Sequence, residues 1–335
     1  MSARPEQKFI PAATTATVAA IEAAFLWACE QDVVCAKPGN VSVASAGHGM
    51  NAEHFLASAR AACTPLARAG ASVGARIEAA IASTRAVAGC NTNLGIVLLC
   101  APLAAAFAAA FEASTTPAAL PAALPACAAS LREVLRALSV EDACAAYRAI
   151  ALANPGGLGA ADSQSVGTTP TVDLRAAMTL AAGRDSIARQ YAEDFRDVLG
   201  FGLATFRAAC AARSTARSAA RSASPTPLAD AVLLTWFGFL ARWPDSHIAR
   251  KHGNACAQRV SDEAAAWLAQ GDARLCAPHA LDDWDAALKA SGINPGTSAD
   301  LTVATLFAAA CLDPSMIAPL TDFSLASTET TTWQR

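Results

Sequence analysis

Apolar residues recur at intervals of three and four positions along nearly the whole chain. Between residues 12 and 30, for example, Val18, Ile21, Phe25 and Leu26 fall on one face of a helix. No stretch shows the alternation of apolar and polar residues that is typical of a half-buried strand. The pattern therefore predicts an all-α fold, with helices over residues 12–30, 53–69, 72–87, 94–112, 127–138, 140–153, 174–182, 185–199, 228–241, 254–268, 282–291 and 299–312.

Proline, glycine and small polar residues separate these segments. The first helix is predicted to end before Lys37-Pro38-Gly39-Asn40, because proline and glycine leave the helical conformation. Residues 113–126, rich in proline and alanine, and residues 213–227, which mix arginine, serine and proline, are predicted surface loops. The composition does not change across either loop, and no repeat period is found. We therefore expect residues 1–335 to form a single multi-helix globular domain.

The composition supports the helical prediction and argues against several classes of protein. Alanine, the best helix former, contributes 88 of the 335 residues, whereas aromatic residues make up 6%. Only 16% of residues are charged and the net charge is −3, which argues against a protein that binds nucleic acid. The eleven cysteines include no Cys-x-x-Cys pair, and the N-terminus carries no apolar signal segment. We therefore expect a cytoplasmic protein.

Residues 94–111 form an uncharged run close to the length of a membrane span. Much of this run is alanine, Pro102 interrupts it, and three polar residues, Asn91, Thr92 and Asn93, stand directly before it. We expect it to be the central helix of a soluble protein without a membrane partner. A membrane span is the less favoured alternative.

Familiar nucleotide and hydrolase motifs are absent or coincidental. The chain has no GxxxxGK[ST] loop, and Gly157-Leu158-Gly159 lacks the third glycine and the preceding strand of a dinucleotide site. Residues 70–74 match GxSxG, but they lie between two predicted helices, where no strand can build a nucleophile elbow. We expect Ser72 to cap a helix instead.

Four polar clusters interrupt the apolar pattern at predicted helix ends. They occupy residues 37–41, 91–95, 245–253 and 294–300. Two of the four lysines of the chain, Lys37 and Lys251, lie within them. Each cluster on its own has the residues that turns and helix caps require. Together they also provide acidic oxygens suited to Mg²⁺ and cationic groups suited to phosphates.

The clusters, in this order along the chain, resemble one family, the triphosphoribosyl-dephospho-coenzyme A synthases that serve citrate lyase and malonate decarboxylase. The likeness covers most of the chain, and three departures stand against it. Gly49 replaces an acidic residue of the family, Asp245-Ser246-His247 replaces its Asp-Thr-Asn, and residues 154–199 match less well. The segments that carry the resemblance are Lys37-Pro38-Gly39-Asn40-Val41, His48 and Met50 with Phe55 and Ser58, Asn91-Thr92 with Gly95, residues 245–253, and Gly296, Ala299 and Asp300.

This resemblance implies an all-α enzyme that moves the triphosphoribosyl group of ATP to the 2′-hydroxyl of 3′-dephospho-CoA and releases adenine. The reaction requires a carboxylate near the ribose, a base for the hydroxyl, and a proton donor for adenine. It also requires Mg²⁺ and cations that hold the triphosphate without cleaving it. The resemblance assigns Lys37, Arg250 and Lys251 to the phosphates, together with Gly39, Asn40, Asn91, Thr92 and Gly95. Asp245 and Asp300 are assigned to Mg²⁺ or to the base, and Glu30 is a third carboxylate. His48 is assigned as the proton donor to adenine.

Two alternatives remain open at this point. The chain is either a related enzyme that acts on another nucleotide or cofactor, such as one of methanopterin or one-carbon metabolism, or a non-catalytic helical homologue. The departures at Gly49 and His247 favour the first alternative. For His54, His247, His252 and His279 we expect packing or capping roles, because no pair has secure metal-ligand spacing. A homodimer is a further expectation.

Overall fold

The computed structural model describes residues 15–113, 120–156, 164–219, 227–271 and 278–317. Within these ranges the chain is helical and contains no sheet, which confirms the prediction of an all-α globular domain. The helices are α1 (Thr15–Val34), α2 (Ala52–Ala67), α3 (Val73–Ala88), α4 (Leu94–Ala113), α5 (Leu120–Arg136), α6 (Val140–Ala153), α7 (Leu174–Ala181), α8 (Ser186–Ala192), α9 (Leu203–Ala219), α10 (Pro227–Arg242), α11 (Ser246–His252), α12 (Asn254–Ala269), α13 (Pro278–Ala290) and α14 (Gly296–Leu312).

Two nearly all-apolar helices, α4 and α14, cross at the centre of the molecule. Almost every residue of both is buried, and α1 packs against the pair. The rings of Phe25 and Phe107 each meet the ring of Phe307 edge to face, with centroids 6.2 and 6.1 Å apart. By length and composition alone α4 is apolar enough to span a membrane, but 83% of its most apolar window is buried inside the fold. Helix α4 is therefore a core helix, as the sequence predicts.

The proline inside α4 has a compensating partner. Pro102 has no N–H, so the carbonyl of Leu98, four residues earlier, receives no bond from its own helix. The buried Tyr191 hydroxyl donates to that carbonyl at 2.6 Å. The bond fixes α8 against α4, and it brings the start of α8 close to the start of α4.

A second apolar cluster joins α10, α12 and α13. Its centre is aromatic: the ring of Trp284 stacks on Phe237 with centroids 6.0 Å apart and meets Trp236 at 6.3 Å. Helix α10 also packs against α9 and α14 of the main core, so the two clusters are parts of one packed body. This packing places the α13–α14 connection over the loop that follows α1.

The GxSxG match is a helix contact. Ser72 caps α3 by accepting from the N–H of Ala75 at 3.3 Å, as predicted. Gly74 lies so close to the backbone of Asp142 in α6 that a Cβ there would overlap it. Its N–H donates to the Asp142 carboxylate at 2.7 Å. Gly74 therefore allows close packing of α3 on α6, and Ser72 caps α3.

Both predicted loops are partly helical. Helix α5 begins at Leu120, within the predicted loop 113–126, because Pro121 in its first turn needs no N–H partner. Helix α9 continues to Ala219, into the predicted loop 213–227, because its alanines outweigh its serines as helix formers. Residues 114–119 and 220–226 of these loops lie outside the described residues. The ends of the domain at residues 1 and 335 also lie outside them, so its full extent stays a prediction.

The predicted helix 185–199 is in fact interrupted. Helix α8 ends at Ala192, Asp194 and Phe195 have positive φ angles of 53° and 58°, and a π-helical turn follows at Asp197–Gly202. The side chain of Gln190 stabilises the break by accepting from the N–H groups of Asp197 and Val198. The pattern also missed two helices entirely, α9 and the short α11.

Candidate active site

Four helix N-termini, those of α4, α8, α11 and α14, meet in a ring. The N–H of Ser186 in α8 donates to Ser246 in α11 at 2.9 Å, and the N–H of Ser298 in α14 donates to Asp245, just before α11, at 2.8 Å. Gly95 in the first turn of α4 closes the ring, because it touches both Asp300 of α14 and Ile187 of α8. Helix N-termini carry partial positive charge, and three acids, Asp185, Asp245 and Asp300, lie at these helix ends.

Asp245 is the most heavily hydrogen-bonded acid of the ring. Its Oδ1 accepts from the N–H groups of His247 and Ile248 at 2.9 and 3.1 Å, and its Oδ2 accepts from Ser298 N and Oγ, both at 2.8 Å. It is 2% exposed. Burial raises the pKa of Asp245, while these hydrogen bonds oppose the shift. The prediction that Asp245 acts as base or metal ligand is therefore not supported, because both oxygens already have two donors each.

Asp300 has the opposite arrangement. Its carboxylate is partly exposed and makes no hydrogen bond or ion pair within the described residues. It lies against Gly95, where any side chain would overlap it. Burial, and next the neighbouring carboxylates of Asp32, Asp245 and Asp185, raise the pKa of Asp300 well above its usual range, and Arg250 partly offsets them. Of the two acids predicted as base or metal ligand, Asp245 and Asp300, only Asp300 has carboxylate oxygens without a hydrogen-bond partner among the described residues.

Lys37 points into the protein and is 2% exposed. Its ammonium lies 2.9 Å from the Asp32 carboxylate and also donates to the carbonyls of Asp32 and Cys35. The ammonium is buried among protein acceptors and does not reach the surface, where a phosphate would bind. The predicted phosphate contact is therefore not supported. Lys37 instead neutralises Asp32, a buried acid at the end of α1 that adjoins Asp300.

The basic end of α11 lies beside the ring. Arg250 is 3.6 Å from the carboxylate of Asp185, the N-cap of α8, and donates to the carbonyl of Gly156 at 3.2 Å. Lys251 is exposed next to Gly156. Among the described residues its ammonium has no partner. Of the three predicted phosphate cations, Lys251 is thus the free one, and Arg250 is partly engaged.

His247 lies between these cations and the loop that follows α1. Its Nε2 is buried without a hydrogen-bond partner in the described part of the chain, while its Nδ1 is 3.4 Å from Arg250. Burial, and next the charges of Lys251 and Arg250, lower the pKa of His247 to about 3. His48 also contributes to this shift, so the two imidazoles are neighbours. The sequence predicts only a packing or capping role for His247, and the buried Nε2 without a partner is a feature that it does not predict.

The segment that contains Gly39, Asn40 and His48 forms one side of the site. The Asn40 amide donates to Asn294 Oδ1 at 2.6 Å, which ties the loop to the α13–α14 connection. Gly39 has a φ of +80°, and a Cβ there would stand 2.7 Å from Pro295, so glycine is required on both counts. His48 Nε2 is 2.8 Å from the Gly39 carbonyl.

Asn91 and Thr92 prepare the start of α4. Asn91 accepts from the N–H of Leu94 at 3.2 Å, and the buried Thr92 hydroxyl donates to Ser58 at 2.6 Å. These bonds fix the first turn of α4, which carries Gly95. Glu30 is half-buried on α1, and in the residues that the structure describes no hydrogen bond or ion pair joins it to this site.

Comparisons with known proteins identify the family. The family model of ATP:dephospho-CoA triphosphoribosyl transferases (CitG) matches residues 18–317. The chain belongs to this transferase family. A crystal structure from Archaeoglobus fulgidus, described as a triphosphoribosyl-dephospho-CoA synthase, is similar over 78% of this chain and 99% of that one, with 21% identity and a TM-score of 0.55. At that identity the likeness shows the fold alone. The chain matches none of the curated proteins.

The transferase family moves a triphosphoribosyl group from ATP to dephospho-CoA. The structure brings together three of the features that the sequence assigned to the site, Asp300, Gly95 and the segment that begins at residue 245. Three further acids, Asp32, Asp185 and Asp285, were not among the predicted residues. Asp185 carried a usable signal, since an acid directly before an apolar-periodic segment is a typical N-cap. Asp32 and Asp285 lie within helical patterns and carried no such signal.

Proposed function

We propose that this enzyme joins C1′ of the ATP ribose to the 2′-hydroxyl of 3′-dephospho-CoA and releases adenine, with Asp300 as its central carboxylate. Family membership supports the two substrates. The observation that carries the role of the site is the unpaired Asp300 carboxylate within a ring of helix N-termini. Such a carboxylate lies where positive charge develops on the ribose in an oxocarbenium-like transition state.

The triphosphate binds, in this proposal, to Lys251 and Arg250, beside the positive ends of the helix dipoles of the ring. The first N–H groups of α8, α11 and α14 already donate to Asp245 and Ser246, so the side-chain cations carry the contact. Lys251 is exposed. The Arg250 guanidinium makes only a long contact of 3.6 Å with Asp185, which a phosphate can replace. Lys37 supports this arrangement indirectly, because it neutralises Asp32 and so offsets one negative charge that would repel the triphosphate.

The residues present fit a magnesium ion that is held mainly by the substrate. No group of three or more His, Cys, Asp or Glu side chains suited to a metal ion occurs in the described ranges. Mg²⁺, however, commonly uses one or two carboxylates together with substrate phosphates. Asp300, without other partners, would hold it, whereas the saturated oxygens of Asp245 would not. Bound there, the ion would supply positive charge that keeps the triphosphate in place.

A cytoplasmic location is part of the same proposal. Ten cysteines lie in the described ranges, and most are buried. Burial raises the pKa of Cys29, Cys100 and Cys311 well above the ordinary value, which keeps them unreactive. Such thiols suit a reducing compartment. The expected homodimer stays a prediction.

The test is a product assay with ATP, Mg²⁺ and 3′-dephospho-CoA, followed by mass spectrometry. We expect adenine and a triphosphoribosylated dephospho-CoA in equal amounts. The matched control is 2′-deoxy-3′-dephospho-CoA, which lacks the attacking hydroxyl and should give neither product. Adenine without the coupled product would indicate an enzyme that hydrolyses the nucleotide or uses another acceptor. Absence of adenine with every acceptor would indicate a non-catalytic homologue.

A further inference from the structure

The hydrogen bond between His48 and Gly39 fixes which ring nitrogen of His48 carries the proton. His48 Nε2 lies 2.8 Å from the Gly39 carbonyl, and a carbonyl oxygen can only accept a hydrogen bond. Nε2 must therefore be the donor. In the neutral ring, Nδ1 then has a lone pair and no proton. A histidine held in this way is suited to accept a proton at Nδ1, the opposite of the adenine donor that the sequence suggested.

The acceptor carbonyl is itself held in place from α13. Asp285 Oδ1 accepts from the N–H of Gly39 at 2.7 Å, and its Oδ2 accepts from the Ser45 hydroxyl at 2.8 Å. Lys289, one turn later on α13, donates to the same Oδ2 at 2.9 Å. One carboxylate therefore links Gly39 to Ser45, within the segment that leads to His48. Nothing in the proposed chemistry otherwise uses Asp285.

His48 lies on a tight turn, and its ring is a neighbour of the His247 ring. Gly47 and Met50 exchange two backbone hydrogen bonds, and His48 and Gly49 between them have φ angles of 55° and 74°. The ring is partly exposed, and Nδ1 has no hydrogen-bond partner among the described residues. The charged or titratable groups that face this turn are His247 from α11 and Lys289 from α13.

We propose that His48 is the general base of the transfer, acting through Nδ1, and that Asp285 is the positioning residue that fixes its tautomer through Gly39. This inference rests on the proposed function. In the step, the O2′–C1′ bond forms and the C1′–N9 bond breaks, and its electron pair leaves with adenine. The hydroxyl proton passes to Nδ1, adenine takes a proton from water, and His48 returns its proton to water, so atoms and charge balance.

The first test needs no substrate. In a nitrogen-15 NMR spectrum of the histidine-labelled enzyme, with His48→Gln used to assign the signals, His48 should show a pyrrole-type Nε2 and a pyridine-type Nδ1. Asp285→Ala should convert this into a mixture of tautomers while the other histidine signals stay in place. A protonated Nδ1 in the neutral ring would overturn the proposal, whatever reaction the enzyme catalyses.

The second test measures turnover. His48→Gln keeps a donor near the Nε2 position but has no basic atom, so kcat should fall at least about 100-fold while KM for ATP changes little. His48→Gly suits the positive φ, and added imidazole should restore part of its activity. Asp285→Ala should lower kcat and not KM, and Asp285→Asn, which keeps one acceptor, should recover part of the loss. Full activity in His48→Gln would show that the hydrogen bond to Gly39 is all that His48 provides.

Discussion

The start of α11 and the second turn of α14 contain acids that lie close together but have opposite surroundings. Asp245, before α11, accepts four hydrogen bonds, two of them from the first turn of its own helix. Asp300, at the beginning of the second turn of α14, accepts none within the described residues and lies among like charges. The comparison shows that a carboxylate at a helix N-terminus is structural when its oxygens are saturated. It is available for chemistry when they are not.

The largest expected effect comes from a third acid, Asp32, when its partner Lys37 is removed. Asp32 would then be a carboxylate without a partner, like Asp300. Lys37→Met leaves Asp32 buried without its counter-charge, and we expect the free energy of unfolding to fall by about 3–5 kcal/mol. Urea denaturation would measure this. Lys251→Met, which removes an exposed lysine, is the matched control and should change stability by less than about 0.5 kcal/mol. Normal stability of Lys37→Met with a raised KM for ATP would restore Lys37 as a phosphate ligand.

A smaller effect should follow from displacing Asp300 without changing its charge. In Gly95→Ala the new Cβ would overlap the carboxylate, which must move. Misplacement of a catalytic group by about 1 Å can cost roughly 100-fold in rate, so we expect kcat to fall about 10- to 100-fold. Gly183→Ala, at a site with open space, should behave like the parent enzyme. Parent activity in Gly95→Ala would place the chemistry away from Asp300.

The sequence predicted the helices well because alanine and the three- and four-residue spacing act locally. It could predict Ser72 as a cap for the same reason. It could not predict the direction of Lys37, which depends on Asp32 at the end of α1 and on two backbone carbonyls. Nor could it distinguish Asp245 from Asp300. The hydrogen bonds of Asp245 come partly from Ser298, and the position of Asp300 depends on Gly95, and in each case the partner is distant in sequence.

The smallest effect concerns His247, the neutral neighbour of the ring. Its pKa is lowered from 6.5 to about 3 in the folded protein, so between these values the unfolded chain binds the extra proton. His247 therefore favours unfolding increasingly as pH falls below 6.5. In His247→Gln the melting temperature should fall less steeply with acidification than in the parent. His279→Gln, at an exposed histidine, should follow the parent curve, and parallel curves for all three proteins would contradict the buried neutral ring.

The most direct measurement compares adenine release by Asp300→Asn and Asp245→Asn under identical conditions, with the melting temperature of each variant recorded. Both substitutions remove one charge and keep the size of the side chain. Asp300→Asn should lose at least about 100-fold in turnover without loss of stability, because it removes an unpaired charge. Asp245→Asn should keep turnover within about tenfold of the parent but unfold about 1–3 kcal/mol more easily, because its amide nitrogen cannot accept from its helix-capping partners. A folded Asp245→Asn without adenine release, beside an active Asp300→Asn, would contradict the account.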